Sequence, residues 1–226
     1  LSKILLNPAR KRVESMDKFI KDSAHELNTP ITVLMTSVSM LKNGKNPEKM
    51  MKYILSSSKQ ISQIYNDIHF SAFNEINEDV FEEFDLKDLV AESVDYFNDI
   101  SITKNIQINP NLFSCFIKMD KTKTQKLVNN LISNAIKYSY KDSIIEVTLK
   151  DNILYVRDFG RGISKDEEKN IFKRYKRGNN NEGGFGIGLD IVKRICNEYN
   201  LLLDLKSKVG EETIFSIDFT SIVNKK

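Results

Sequence analysis

The sequence predicts an α+β protein in which an antiparallel helical hairpin precedes an α/β sandwich, with helices on one face of a single sheet. Two observations carry this prediction. Apolar residues recur at alternating intervals of three and four in the first part of the chain, and short strand and helix patterns alternate after it. The composition changes near residue 76, so the predicted domains span residues 1–75 and 76–226.

The first helix is predicted from about Arg10 to Lys42, because this stretch lacks glycine and carries a heptad seam. A turn follows in which Gly44 suits a helix end and Pro47 suits a helix start. Two helices alone bury little apolar surface, so we expect a four-helix bundle formed with a second copy of the chain. The predicted seams consist of Ile20, Ala24, Leu27, Ile31, Leu34, Val38 and Leu41, and of Met51, Ile54, Ser58, Ile61, Tyr65, Ile68 and Ala72.

The N-terminus runs from apolar residues into the basic cluster Arg10–Arg12. This pattern is typical of the cytoplasmic end of a transmembrane helix, although an ordinary helix start with a solvated basic face has the same composition. No window of about 18 apolar residues is present, so no segment is predicted to cross a membrane. Leu1 in place of Met suggests a fragment of a longer protein.

The charge balance and the cysteines exclude several classes of function. A net charge of +3 with 29% charged residues does not indicate nucleic-acid binding, which usually shows a concentrated basic excess. The two cysteines lie far apart and without metal-ligand neighbours, so neither a zinc site nor a disulfide framework is predicted. A reducing compartment fits this cysteine usage.

The segment around His25, one of two histidines, is the candidate reactive site of the hairpin. Taken alone, a histidine on a helix is more often an ordinary surface or core residue. The heptad register, however, puts His25 outside the seam, where it faces solvent or a second protein. Glu26 can accept the proton of one imidazole nitrogen, which leaves the other nitrogen nucleophilic. Thr29 lies one turn along the same face, and Pro30 is expected to bend the helix.

The second part of the chain is predicted to alternate strands and helices, which gives the α/β sandwich. A short strand precedes the first of these helices. The predicted elements are a helix at Leu86–Thr103, strands at Ile106–Ile108 and Cys115–Met119, an amphipathic helix at Lys121–Lys137, a hairpin of Ile144–Leu149 and Ile153–Arg157, a helix at Gly186–Tyr199, and a hairpin of Leu202–Lys206 and Thr213–Phe219.

Most of the nine glycines lie between Gly160 and Gly188, in two groups. The first group follows a predicted strand that ends in Asp158, whose carboxylate can accept a hydrogen bond from an exocyclic amine. Gly160 and Gly162 would let the backbone approach a flat or anionic ligand closely. The second group, GGFGIGL, runs into a helix start, where free N–H groups and the helix dipole favour phosphate.

Asn130 and Asn134 lie four residues apart on one face of the predicted helix at Lys121–Lys137. Asparagine is a poor helix-interior residue, so an amide oxygen here is a candidate ligand of Mg²⁺; solvent-exposed asparagines are the alternative. Between the glycine groups lies an aromatic–basic segment, IFKRYKRGNNNEGG. It is predicted to form a lid in which Arg174, Lys176 or Arg177 reaches phosphates, and the alternative is a solvated basic loop.

Five motifs, in this order, resemble the sensor histidine kinases of two-component systems. They are AHELNTP, LVNNLISNAIKYS, DFGRG, IFKRY and GGFGIGL, and they connect residues 19 to 189. They correspond to the family's phosphoacceptor, asparagine, first glycine, phenylalanine and second glycine boxes. The order of all five is specific, whereas no single motif would be.

The resemblance implies an ATP-binding domain of the gyrase and histidine-kinase type that uses ATP and Mg²⁺. It implies that His25 is autophosphorylated with Glu26 as its acid/base partner, and that Thr29 is tied to dephosphorylation of a response regulator. The implied metal ligand is Asn134. The other implied nucleotide-site residues are Asn130, Lys137, Tyr138, Asp158, Gly160, Gly162, Ile163, Arg174, Arg177, Gly184, Gly186, Ile187, Gly188 and Leu189.

The resemblance also implies the partners and the location of the protein. A homodimer would pass the phosphoryl group to an aspartate of a response-regulator receiver domain. The chain would be the cytoplasmic portion of a bacterial inner-membrane protein, held there by a transmembrane sensor portion outside this sequence. Asn28 departs from the arginine usual at its position, which is expected to affect partner contact.

Two other functions compete with this interpretation. A gyrase-type ATPase would use the same glycine loops for conformational work, but it would have no acceptor histidine. A scaffold or phosphatase that binds nucleotide without phosphorylating itself is the second alternative, and the intact motifs count against it.

Overall fold

The computed structural model of the chain describes residues 21, 24–73, 80–172 and 187–223. Helix α1 occupies residues 24–42 and helix α2 spans Pro47–Phe73. In the turn between them Gly44 has a φ of 68°, and the side chain of Asn46 accepts a hydrogen bond from the Lys49 N–H at 3.3 Å. Pro47 begins α2, where its missing N–H leaves no hydrogen bond unmade. The predicted helix–turn–helix is confirmed from residue 24 onward, and the predicted helix start near Arg10 lies outside the described residues.

Most of the buried residues in the described part of the hairpin lie one residue before a predicted seam position, and Ser56 and Gln63 are the exceptions. Pro30, Ser37, Met50 and Ser57 are buried, each directly preceding a predicted seam position. An apolar row stays exposed instead: Ile31, Met35, Met40, Met51, Leu55 and Tyr65. The sequence predicts that a second copy of the chain covers the seams, and an exposed apolar row on one copy is compatible with that prediction.

The second part contains the predicted elements in the predicted order, with the short helix α5 and two 3₁₀ turns in addition. They are β1 (Phe81–Asp85), α3 (Leu86–Ser101), a 3₁₀ turn (Ile102–Lys104), β2 (Gln107–Leu112), β3 (Phe116–Asp120), α4 (Lys121–Tyr138), β4 (Ile144–Lys150), β5 (Ile153–Asp158), α5 (Lys165–Glu168), α6 (Gly188–Glu198), β6 (Leu202–Lys208), β7 (Glu212–Asp218) and a 3₁₀ turn (Thr220–Ile222).

The largest difference from the predicted strand bounds is in β2. The sequence predicts a strand at Ile106–Ile108, whereas β2 continues to Leu112 through Pro110. Proline lacks a backbone donor and interrupts a central strand, but β2 is the edge strand of the five-stranded sheet, where proline is tolerated.

The main sheet has the order β2-β4-β5-β7-β6, and β1 pairs with β3 in a separate two-stranded sheet. Strand β2 runs parallel to β4, and the other pairs are antiparallel. Burial alternates along β4 and β7, so one face of the sheet enters the core and the other faces solvent. Helices α3, α4 and α6 supply the buried residues opposite it, and the predicted α/β sandwich is confirmed.

The hairpin contacts the α/β domain through α2 and α3. Lys59 Nζ lies 2.6 Å from Asp99 Oδ2 and 4.9 Å from the centre of the Tyr96 ring. The Tyr96 hydroxyl donates to the Lys59 carbonyl at 2.9 Å. One lysine thus joins the two parts by an ion pair, a cation–π contact and a backbone hydrogen bond. Among the described residues, no helix is both long and apolar enough to cross a membrane.

Replacing Lys59 is expected to loosen the contact between hairpin and domain. In Lys59→Met the ion pair and the cation–π contact are lost, which weakens the docked arrangement by about 1 kcal/mol. The radius of gyration from small-angle X-ray scattering should rise. Lys52→Met is the matched control, because Lys52 pairs with Glu48 on its own helix. Scattering curves of Lys59→Met and wild type that superimpose would contradict the expectation.

Candidate active site

Helix α4 forms one side of the candidate site and is fixed at both ends. The side chain of Asp120 caps its first turn by accepting the Lys123 N–H at 2.8 Å. At its last turn, Lys104 Nζ donates to the carbonyls of Ile136, Lys137 and Ser139. A lysine at a helix C-terminus satisfies carbonyls that have no partner within the helix and complements the helix dipole.

The two predicted asparagines of α4 lie against the start of α6. Asn130 is buried, and its amide nitrogen donates to the Lys126 carbonyl at 2.8 Å. A β-carbon at Gly188 would lie 2.5 Å from Asn130 Oδ1 and 3.6 Å from Asn134 Nδ2. Only glycine therefore lets α6 begin this close to the asparagines. Asn134 Nδ2 is buried without a hydrogen-bond partner among the described residues.

Asp158 ends β5 as a buried carboxylate with 4% of its surface exposed. Its Oδ1 atom is buried and accepts no hydrogen bond from the part of the chain that the structure describes. Burial raises the pKa of the Asp158 carboxyl to about 7, while the Gly160 backbone N–H and the charge of Arg161 act in the opposite direction. A buried oxygen of this kind needs a donor, and a ligand with an N–H group would supply one.

Gly160 and Gly162 allow close approaches within the chain itself. A β-carbon at Gly160 would lie 2.1 Å from the Tyr138 carbonyl oxygen, and one at Gly162 would lie 2.3 Å from the Lys208 carbonyl oxygen. Gly162 also has a φ of +67°, which favours glycine. These glycines therefore join the end of β5 to the end of α4 and to the β6–β7 turn.

The structure also describes five further residues of the predicted nucleotide site, namely Lys137, Tyr138, Ile163, Ile187 and Leu189. The Ile163 N–H donates to the Ser207 hydroxyl at 2.9 Å, Ile187 is buried, and Leu189 packs against the core. The Tyr138 ring lies 5.3 Å from Lys137 Nζ and 5.0 Å from Arg161 Cζ. Four predicted site residues, Arg174, Arg177, Gly184 and Gly186, lie outside the described residues, as does most of the predicted lid.

His25, Glu26 and Thr29 line a cavity of about 500 Å³ between the hairpin and the α/β domain. The opposite wall includes Ser133, Ile136 and Lys137 of α4. His25 and Thr29 are exposed, as the heptad register predicts. Glu26 Oε1 lies 3.7 Å from Lys137 Nζ, so the hairpin motif and the asparagine helix are in direct contact.

Some residues of the site could not be found by sequence reasoning. Lys104 reaches α4 over more than 30 residues, and no local pattern marks a lysine that caps a distant helix. Phe97, Ile100 and Gln60 line the cavity. Their spacing in the sequence predicts only ordinary core or surface positions. Arg161 is visible in DFGRG, but its contacts with Tyr138 and Glu167 depend on the tertiary structure.

The fold and the site together define a two-part protein, an exposed histidine helix joined to an α/β sandwich. Residues 15–75 match the family model described as His Kinase A (phospho-acceptor) domain. Residues 119–221 match the model described as Histidine kinase-, DNA gyrase B-, and HSP90-like ATPase. The chain belongs to the sensor histidine kinases of two-component systems.

Known proteins resemble the chain along most of its length. Sensor histidine kinase YkoH of Bacillus subtilis is 29% identical over 93% of this chain and 49% of the relative. Sensor histidine kinase RppB of Synechocystis is 27% identical over 96% of this chain and 52% of the relative. The chain thus spans about half the length of these curated relatives. The solved structure of the Acinetobacter baumannii histidine kinase AdeS is 25% identical with a TM-score of 0.54, covering 85% of this chain and 95% of that chain.

The buried Asp158 should make the protein less stable as the pH rises. Its pKa is about 7 in the folded state and ordinarily 3.8, so between these values the folded state binds more protons than the unfolded state. The contribution of Asp158 to the free energy of unfolding is therefore fully present below pH 4. It falls by on the order of 4 kcal/mol as the pH rises to 7. Asp158→Asn should remove this loss, so its free energy of unfolding should exceed that of wild type at pH 8 but not at pH 4.

Urea unfolding from pH 4 to pH 8 measures this difference. Asp204→Asn, a change at an exposed position of β6, is the control for replacing a carboxylate by an amide. If the difference in free energy of unfolding between Asp158→Asn and wild type does not change with pH, the folded protein does not hold Asp158 uncharged in this pH range.

Proposed function

We propose that the chain is the phosphoacceptor and catalytic portion of a sensor histidine kinase that uses ATP to phosphorylate its own His25. The cavity between the two parts carries this proposal, because His25 lies on one wall and α4, the helix of Asn130 and Asn134, forms the opposite wall. The phosphoryl group then passes to an aspartate of a separate response-regulator receiver domain.

The proposed reaction uses the neutral form of the His25 imidazole. One ring nitrogen attacks the γ-phosphorus of ATP in line, the bond to the β–γ bridging oxygen breaks, and ADP leaves. Glu26 accepts the proton of the other ring nitrogen, so that the imidazole does not accumulate charge. Thr29, on the same exposed face, is proposed to act in removing the phosphoryl group from the regulator.

The proposed nucleotide site places the base at β5 and the phosphates between α4 and α6. Asp158 Oδ1 would accept the exocyclic amine of adenine, and its lack of a partner among the described residues supports this role. The N–H groups at the start of α6, beside Gly188, would face the phosphates. The residues proposed to line the site are Lys137, Tyr138, Gly160, Gly162, Ile163, Ile187 and Leu189, with Arg174, Arg177, Gly184 and Gly186 in the lid.

Asn134 is proposed to hold Mg²⁺. The residue fits such a site, because an amide oxygen is a suitable ligand for a hard cation. The buried Asn134 amide nitrogen, which has no hydrogen-bond partner among the described residues, could donate to a phosphate oxygen beside the ion. Bound Mg²⁺ would neutralise charge on the phosphates. The Asn130 amide nitrogen is already used by the Lys126 carbonyl, which leaves its oxygen to face α6.

A homodimer is proposed for the hairpin. Met35, Met51 and Tyr65 are 65%, 58% and 63% exposed, although monomeric surfaces seldom carry a row of large apolar side chains. A second copy of the hairpin would cover this row and complete a four-helix bundle.

The proposed domains are residues 1–75, for dimerisation and phosphotransfer, and residues 76–226, for catalysis and ATP binding. The matches at residues 15–75 and 119–221 support this division. We further propose that the chain is the cytoplasmic portion of a bacterial inner-membrane protein, since apolar and then basic residues open the sequence and its relatives are about twice as long.

Replacing His25 should abolish phosphorylation of the chain. Wild type incubated with γ-labelled ATP and Mg²⁺ should acquire acid-labile label, whereas His25→Gln should acquire none because the nucleophile is gone. His69→Gln is the control, since His69 is the only other histidine of the sequence. Label on His25→Gln would refute the assignment, and absence of label on a wild type that binds ATP would instead favour the nucleotide-binding scaffold.

Replacing Asn134 should slow phosphorylation of the chain by weakening the binding of Mg²⁺. Asn134→Ala should lower the rate of labelling by roughly 100-fold or more, because charge on the transferred phosphoryl group loses its stabilisation. Raising the Mg²⁺ concentration should restore part of the rate. Asn129→Ala is the control on the same helix, where Asn129 accepts a hydrogen bond from Gln125. Full activity of Asn134→Ala would show that another residue holds the metal.

A further inference from the structure

Helix α4 ends with two residues of the proposed nucleotide site, Lys137 and Tyr138. Many helices close with a glycine in the left-handed conformation, which brings backbone N–H groups back to the last carbonyls. The cap residue of α4 is instead Ser139, with a φ of −66° and a ψ of 148°, and no glycine follows before Gly160. The Ser139 N–H donates to the Ala135 carbonyl, so the carbonyls after Ala135 need donors from elsewhere in the fold.

Lys104, in the 3₁₀ turn after α3, supplies donors for three of these carbonyls. Its ammonium lies 3.0 Å from the Ile136 carbonyl oxygen and 3.4 Å from that of Ser139, and it also donates to the Lys137 carbonyl. An ammonium has three N–H groups, so one side chain can serve all three acceptors. Its positive charge also complements the negative end of the helix dipole.

The remaining carbonyl of this turn, that of Tyr138, connects α4 to the loop after β5. It accepts the Arg161 N–H at 3.2 Å, and a β-carbon at Gly160 would lie 2.1 Å from its oxygen. Asp158, the proposed acceptor for adenine, ends the strand that leads into this loop. The end of α4 is therefore held from two sides, because Lys104 binds three of its carbonyls and the loop after β5 binds the fourth.

The backbone of Lys104 is also fixed, so its side chain can position α4. The Lys104 carbonyl accepts the Asp142 N–H at 3.1 Å, and the Asn105 amide donates to the Asp142 carboxylate at 2.8 Å. Asn105 closes the 3₁₀ turn with a φ of 54°, and its N–H donates to the Ile102 carbonyl at 3.1 Å. The turn after α3 is thus joined to the loop after α4, and the Lys104 side chain connects it to the end of α4 as well.

We propose that Lys104 is a positioning residue of the nucleotide site, which holds the last turn of α4, with Lys137 and Tyr138, in the conformation that binds ATP. This inference rests on the proposed binding of ATP between α4, β5 and α6. Without the ammonium, three carbonyls at the helix end lose their donor and the last turn can unwind. ATP would then bind only to those molecules in which the turn is formed, so its apparent affinity would fall in proportion to their fraction.

The test compares wild type with Lys104→Met, Lys104→Arg and Lys123→Met. Methionine removes the ammonium and keeps a long side chain, whereas arginine keeps the charge and several N–H donors. Lys123→Met is the matched control, because Lys123 pairs with Glu198 at the other end of the same helix. Hydrogen exchange of the Ser139 and Arg161 amides is measured by NMR without nucleotide. The rate of labelling by γ-labelled ATP with Mg²⁺ is then measured over a range of ATP concentrations.

In Lys104→Met the amides of Ser139 and Arg161 should exchange faster than in wild type, because both donate to carbonyls at the end of α4. The ATP concentration for half-maximal labelling should rise roughly tenfold, as expected if the turn is formed in about one molecule in ten. The maximal rate should stay near that of wild type, since saturating ATP selects the formed turn. Lys104→Arg should restore both quantities, and Lys123→Met should leave them unchanged.

The inference is overturned if Lys104→Met keeps the wild-type exchange rates at these two amides, or if its ATP concentration for half-maximal labelling does not rise. Equal changes in Lys123→Met would also overturn it, since a general loss of stability would then be the cause. If Lys104→Met does not fold, Lys104→Gln, which keeps a shorter donor, is held to the same two criteria. A wild type that acquires no label at any ATP concentration would instead refute the proposed function, whatever the exchange rates are.

Discussion

The approach of Gly160 to the Tyr138 carbonyl is the constraint on which the site depends. It joins the end of β5 to the end of α4, and a single methyl group at Gly160 would prevent it. The isolated bridge between Ser139 and Gly160 and the hydrogen bond from the Arg161 N–H to Tyr138 both form at this junction. Because these two elements meet, Asp158 and Tyr138, 20 residues apart in the sequence, border one site.

The same junction contains the buried Asp158 carboxylate, which lowers the stability of the fold. Asp158 is a carboxylate at the end of a buried strand, and one of its oxygens has no hydrogen-bond partner in the part of the chain that the structure describes. This is unfavourable for folding, and an apolar residue would be more stable there. The core around it can offset this cost, since Leu127, Leu131, Ile145 and Leu154 are all fully buried. An interior acceptor without a donor suits a site that a ligand completes, because the ligand then gains a hydrogen bond that the protein itself does not make.

Local patterns in the sequence sufficed for the elements but not for the contacts between them. The turn before Pro47, the helix of Asn130 and Asn134, and the strand that ends in Asp158 follow from periodicity, capping residues and glycines. Which hairpin residues the chain itself buries could not be predicted, because a heptad pattern marks a stripe on each helix but not the residues that the α/β domain covers. The contacts of Lys59 with Asp99 and of Lys104 with the end of α4 join residues more than 30 positions apart, and they depend on how the elements pack.

Helix α4 presents different faces to the acceptor and to the proposed metal site. Successive residues of an α-helix are about 100° apart, so Ser133 and Ile136, which line the cavity with His25, lie roughly 100° and 160° around the helix from Asn134. A phosphate held beside Asn134 would therefore not face His25 of the same chain in this arrangement. The proposed phosphoryl transfer would therefore require that the α/β domain rotate relative to the hairpin, or that His25 of a second copy approach the other face. Lys137 lies between the two faces and contacts Glu26, so any such rotation must separate this pair. It must also break the contact between α2 and α3 at Lys59.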